Sequence, residues 1–161
     1  MVVHAGVLLA LDRPLACDCA LWESVGDPAV NSQAAIDPYS LLHAASGAVI
    51  AVLLLRYRPR WSYWRVMLIV LFCSTVWEVI ENLPVTIAAF GYEPGDPLRY
   101  TGDSLLNSLG DSVFAMAGAG LAFALPAWSV VAFVVAGEIG LSLVIGDGYV
   151  IGLARALGAL G

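Results

Sequence analysis

The chain contains no lysine: its seven basic residues are all arginine, and charged residues of either sign make up only 12% of it. A soluble domain carries about 25% charged residues. No basic patch is present, which excludes a general nucleic-acid surface. No Gly-x-Ser-x-Gly elbow is present, so the sequence offers no recognisable serine nucleophile. There is no low-complexity stretch and no long repeat. The first eleven residues are apolar but lack a basic n-region, so they make a poor signal peptide. With 161 residues there is room for one small bundle and no separate domain.

What is present is apolar. Hydrophobic residues account for 60% of the chain, and mean hydropathy is +0.85. The pattern predicts an all-α, polytopic membrane bundle with four full spans, near residues 39–55, 65–86, 101–125 and 127–145. Each approaches the roughly 20 residues that a bilayer core requires. Two shorter apolar segments flank them, 1–11 and 149–160, and neither can cross at ~1.5 Å per residue. Residues 1–11 read either as the stub of a longer first helix or as the result of a start codon placed too late. Pro126 is nearly the whole connection between the last two spans, which makes them a tight antiparallel hairpin.

Orientation follows from arginine. Arg56, Arg58, Arg60 and Arg65 crowd the connection between the first two spans, and the positive-inside rule places loop 56–65 in the cytoplasm. Trp61, Tyr63 and Trp64 stand beside it as an aromatic belt. Segments 12–38 and 87–100 then face outward, and they hold Asp12, Asp18, Glu23, Asp27, Asp37, Glu93 and Asp96. Arg155 on that side is a mild exception. Pro94, Gly95 and Pro97 mark a turn-rich outer loop able to cover a site.

Within this apolar frame lie Glu78, Asp111 and Glu138. A charge in hydrocarbon is costly, so an ionisable residue there is a functional-site hypothesis by default. Counting helix rise from the outer ends puts all three roughly 10–12 Å deep, with His43 roughly 9 Å deep. Glu81, Asn82 and Asn107 form a layer slightly above. The spacing also gives each helix one polar stripe: Ser40, His43 and Ser46; Glu78 with Asn82; Asp103, Asn107 and Asp111. Lipid cannot satisfy such stripes, so they face the bundle interior or a wet cavity. Gly110, Gly118, Gly120, Gly137 and Gly140 permit close helix approach.

One His with several carboxylates supports three readings. His43, Glu78 and Asp111 are a ligand set for a hard or borderline divalent metal. Without metal, Glu78, Asp111, His43 and Glu81 offer a general acid and a general base. Trp77, Asn82, Asp103, Asn107 and Glu138 then bind the ligand. In the third reading the same groups are a hydrogen-bond network that holds helices together. The functional classes that follow are two. One is a small hydrolase or transferase acting on a lipid-linked or headgroup substrate, with water as nucleophile. The other is a non-catalytic accessory protein contacting membrane lipid, a membrane protein partner or a second copy of itself. A transporter is disfavoured by size.

Cys17 and Cys19 lie in the outward segment, where disulfides persist. A bridge across one residue is tight, and two thiols alone under-ligate zinc. A redox-active or partner-facing pair stands beside the simpler role of fixing the loop. Cys73 reads as packing.

Several of these residues also occur together as a pattern: Arg13-Pro14, Cys17-Asp18-Cys19, Leu21-Trp22, Asn31-Ser32-Gln33, Asp37-Pro38-Tyr39-Ser40 and His43. Trp77-Glu78, Glu81-Asn82, Gly102-Asp103-Ser104, Asn107-Ser108, Asp111 and Glu138 continue it. The pattern resembles uncharacterised alphaproteobacterial inner-membrane proteins that are classed only as a domain of unknown function, over about residues 7 to 147. That resemblance implies a location in the bacterial inner membrane and no activity. The chain departs from those proteins in its shorter first helix and at Ser46, where a second His is common. A more distant likeness, to VanZ-like membrane proteins, rests on the order Asp, His, Glu, Asp and Asn and implies an envelope-related role.

Overall fold

A computed structural model describes residues 1–24 and 29–159, so Asp27 lies outside the described residues. Among these, seven helices form and no strand does; Trp22 and Ile36 make an isolated parallel bridge. The helices are α1 (Val2–Ala10), α2 (Ser40–Tyr57), α3 (Tyr63–Glu81), α4 (Pro84–Phe90), α5 (Leu105–Ala124), α6 (Ala127–Val144) and α7 (Tyr149–Ala156).

Helices α2, α3 and α6 are long and apolar enough to cross a membrane. Helix α5 has 20 residues but is not among them, and it buries Asn107, Ser108, Asp111 and Ser112. Those polar groups are tolerated because α5 is the central helix, packed against α2, α3, α1 and α6. The opposite arrangement holds on α6, where Trp128, Val131, Val135, Ile139 and Leu143 form an exposed apolar stripe. A stripe of that length would be an aggregation hazard in water and is the normal face toward lipid.

The pairing of α2 with α5 depends on glycine. A Cβ on Gly118 would stand 1.8 Å from the Ala44 carbonyl oxygen, and one on Gly47 would stand 1.9 Å from that of Ala115. Only hydrogen side chains allow this approach, as in membrane helix pairs generally. Gly120 and Gly140, expected to serve the same purpose, meet nothing within 4 Å. Below this contact the core is apolar: Ala48, Ala51, Val66, Val70, Ala115 and Ala119. The buried polar residues gather at the other end, away from the Arg56–Arg65 connection.

Helix α3 ends earlier than the expected 65–86 span. Pro84 lacks an N–H and forces Leu83 into extended backbone, with φ −71° and ψ 140°, so a new helix starts there. Glu78 therefore lies only three residues from its helix end, roughly 4.5 Å deep rather than 12 Å. Helix α5 likewise begins at Leu105, leaving Asp103 in the preceding segment.

Candidate metal centre and its cavity

Local sequence places the site at the start of α2. The Asp37 carboxylate accepts the Ser40 N–H at 3.1 Å, and Ser40 Oγ accepts the Asp37 N–H at 3.3 Å. This reciprocal pair is a capping box, with Pro38 just inside it. His43 follows one turn later. At the start of α5, Ser104 Oγ accepts the Asn107 N–H at 3.0 Å and donates to the Gln33 carbonyl at 2.7 Å. Asn31 and Gln33 then clamp the segments that precede α2 and α5 together, donating to the carbonyls of Leu98 at 3.0 Å and Gly102 at 2.7 Å.

Those caps deliver three helices to one point. His43 Nδ1 stands 3.2 Å from Glu78 Oε1, and its Nε2 stands 3.7 Å from Asp111 Oδ2. A neutral imidazole has one N–H and cannot serve both acids. Ser108 Oγ donates to Glu78 Oε2 at 2.7 Å, and Ser40 Oγ donates to Asp111 Oδ1 at 2.9 Å. Glu78 is fully buried, and its Oε1 has no hydrogen-bond partner. One ligand atom from each of His43, Glu78 and Asp111 lies within 4.8 Å of the others. The same is true of Glu78, Glu81 and Asp103.

A cavity of about 550 Å³ opens beside these groups. His43, Glu81, Asp103 and Asp111 line its polar side, and Leu42, Trp77, Phe90 and Leu153 its apolar side. Helices α4 and α7 wall it, and Tyr92 and Tyr100 reach in from the loop between α4 and α5. Tyr92 donates to Asp147 at 2.5 Å, and burial pushes its phenol above the usual range, with that hydrogen bond adding to the rise. Asp37, behind the site, is likewise pushed up by burial, against the pull of hydrogen bonds from Ser40 and Asn107.

Not every expected site residue arrives here. Glu138 does not: its carboxylate accepts the N–H groups of Tyr149 and Val150, each at 2.9 Å, and so caps α7. Axial counting put it level with Glu78, but its side chain turns to the helix end that folds back from α6. Asn107 donates to the Ala34 carbonyl at 2.7 Å and to Asp37 at 3.2 Å, a role in the framework. Asn82 caps α3 and is used up by Glu78 O at 2.9 Å, by the Asp103 N–H at 2.8 Å and by the Asp103 carboxylate. Ser46 meets Tyr149. Cys17 and Cys19 are joined in a disulfide.

Two residues enter unannounced. His4 Nε2 lies 2.7 Å from Ser108 Oγ, extending the chain of contacts behind Glu78. It is an ionisable residue in an apolar run, so the rule that flagged Glu78 would have flagged it too. Arg13 donates to the carbonyls of Asn82, at 2.7 Å, and Thr101. Its guanidinium lies over Gly102, where a Cβ would meet it at 2.2 Å. A cation from outside the spans thus reaches the acid cluster.

The profile of a family described as protein of unknown function, DUF2585, matches residues 8–156. The chain belongs to this family. Curated relatives are named UPF0314 proteins. One from Sphingopyxis alaskensis is 31% identical over 138 residues, 84% of this chain and 73% of the relative. Another, from Paracoccus denitrificans, is 32% identical over 161 residues, 98% and 82%. A third, from Agrobacterium fabrum, is 32% identical over 145 residues, 86% and 71%. No solved structure matches the chain. The site of this DUF2585 protein is therefore read from its own geometry.

Proposed function

We propose that this DUF2585 protein spans the bacterial inner membrane with α2, α3, α5 and α6, and is a metal-dependent hydrolase or transferase for a lipid-linked envelope substrate. The observation that carries this is the convergence of His43, Glu78 and Asp111 from three helices within 4.8 Å, at the wall of a cavity. With the arginine-rich connection in the cytoplasm, the cavity faces the outer side. Its apolar wall suits an acyl or isoprenoid chain, and its polar wall suits a headgroup. A divalent ion on the triad would polarise an ester or phosphoester oxygen and acidify a bound water. His43, Glu78 and Asp111 would hold that ion, while Ser108 and Ser40 orient two of them. Glu81 or Asp103 takes the proton of the attacking water and returns it to the leaving oxygen, as hydroxyl adds to phosphorus or acyl carbon. With an alcohol in place of water the same site is a transferase.

The test is metal content. Protein purified in detergent and dialysed should retain a divalent ion, and His43→Ala and Asp111→Asn should lose it while keeping wild-type helicity. Metal-free wild type that binds none of the added Mn²⁺, Zn²⁺ or Mg²⁺ would sink the reading. A second reading, a non-catalytic accessory subunit, is favoured by one feature: Asn82, Asn107 and Glu138 spend their polar groups on the fold. In that case the exposed α6 stripe would face a partner helix or a second copy.

A further inference from the structure

Glu78 belongs to both triads. We propose that it bridges two divalent cations, one held with His43 and Asp111 and a second held with Glu81 and Asp103, making a dinuclear centre. The first ion rests on the reading above; the second is independent of any substrate.

Glu81 and Glu78 are one turn apart on α3, and Asp103 arrives from the segment before α5. Their ligand atoms meet within 4.8 Å, as do those of the first triad. The Glu78 side chain is fully buried, and its Oε1 makes no hydrogen bond, although His43 Nδ1 stands 3.2 Å away. A buried carboxylate oxygen left so is costly, and a cation placed between it and the imidazole would satisfy it. The other atoms around the cluster are arranged as a holding shell. Asp103 Oδ2 accepts Tyr100 at 2.9 Å and also accepts Asn82; Ser108 and Ser40 hold Glu78 and Asp111. Such hydrogen bonds to ligating carboxylates are what metal sites use to fix them.

Charge decides between one ion and two. The two triads together contain four carboxylates: Glu78, Glu81, Asp103 and Asp111. Ligation requires these acids deprotonated, and one divalent ion would then leave half of that charge uncompensated in a buried place. Arg13 approaches, but it donates to the carbonyls of Thr101 and Asn82 rather than to the acids. Two divalent ions balance the four. The second triad is all oxygen, which favours a hard ion such as Mn²⁺ or Mg²⁺, whereas the first offers one imidazole. Two ions sharing a carboxylate would stand about 3.5–4 Å apart, as in two-metal hydrolases. Glu81 and Asp103 line the cavity, so the second ion is reached directly by water and by an anionic headgroup. Monodentate ligation would leave Glu81 a second oxygen to carry a proton.

The probe is Mn²⁺ alone, added to the full chain in detergent after chelator stripping and desalting. Metal analysis should find two ions per chain, and low-temperature electron paramagnetic resonance should show them exchange-coupled. Asp103→Asn should bind one, with the pattern of an isolated ion. His43→Ala should also drop to one, and Glu78→Gln should lose the coupling. If Asp103→Asn does not fold, Glu81→Gln tests the same ion. One uncoupled Mn²⁺ in wild type, unchanged in Asp103→Asn or Glu81→Gln, overturns the second site and leaves the first standing. Two uncoupled ions overturn the bridge. No bound Mn²⁺ overturns this proposal and, if Zn²⁺ and Mg²⁺ also fail, the metal reading beneath it.

Discussion

Asn107 and Asp37 show what separate side chains contribute behind the site. Asn107→Ala removes the donors to the Ala34 carbonyl and to Asp37 while both acceptors stay buried. Each unsatisfied group costs about 1–3 kcal/mol, so thermal unfolding in detergent should shift down markedly. Asp37 carries a pH signature. Burial raises its folded pKa, so its protonated form is favoured in the fold. The stability tied to that proton is fully present below the unfolded value of about 3.9 and is lost as pH rises through the higher folded value. Asp37→Asn, which does not titrate, should therefore gain on wild type as pH rises from about 4 and plateau above the folded pKa. A constant difference between the two across pH would contradict this. The sequence made the residue types legible through their spacing: Asp103, Asn107 and Asp111 do share one buried face. It could not separate ligand from framework, because a stripe fixes the face of a helix but not the partner of each atom. His4 escaped notice because its segment was set aside on length.

At the scale of elements, glycine and proline carry most of the information. Gly118→Val puts carbon atoms into the Ala44 backbone, which has no room to yield, and should separate α2 from α5 and abolish the folded protein. Gly120→Ala meets open space and should be neutral or stabilise by roughly 0.5–1 kcal/mol, since Gly costs that much inside a helix. Parallel measurement of expression and melting temperature checks both. From sequence the two glycines look equivalent, because composition allows close approach without saying which face makes it. The α2 and α6 limits were legible to within two residues, and Pro126 was a legible break. The end of α3 was not: apolar residues resume on both sides of Pro84, which hides the stop it imposes. Moving Glu78 closer to the helix end matters, since an acid expected deep in an apolar span lies instead within the last turn of its helix.

For the whole molecule, the expectation to check is sidedness. In spheroplasts, Glu93→Cys should react with a membrane-impermeant maleimide, and Arg60→Cys should react only after lysis; both positions are exposed. The reverse pattern would turn the cavity toward the cytoplasm and remove the envelope substrate from consideration. The bundle was legible as helical and apolar from composition alone. A polar pocket was legible as well, from the convergent stripes and the turn-rich loop at Pro94, Gly95 and Pro97; its wall of α4 and α7 was not, because both helices are too short to be placed by length.

The chain order of the site has a consequence for its birth. Helix α3 emerges from the ribosome with Glu78 and Glu81 before Asp103, Ser108 and Asp111 have been made. An acid at the centre of an inserting helix costs about 2.5–3.5 kcal/mol on translocon scales. Near the helix end, beside water, the same acid costs less. If α3 spans the bilayer, the early stop at Pro84 would let it enter while its two acids wait at the surface for α5. Membrane insertion and assembly of the site would then be successive events, their order set by the position of one proline.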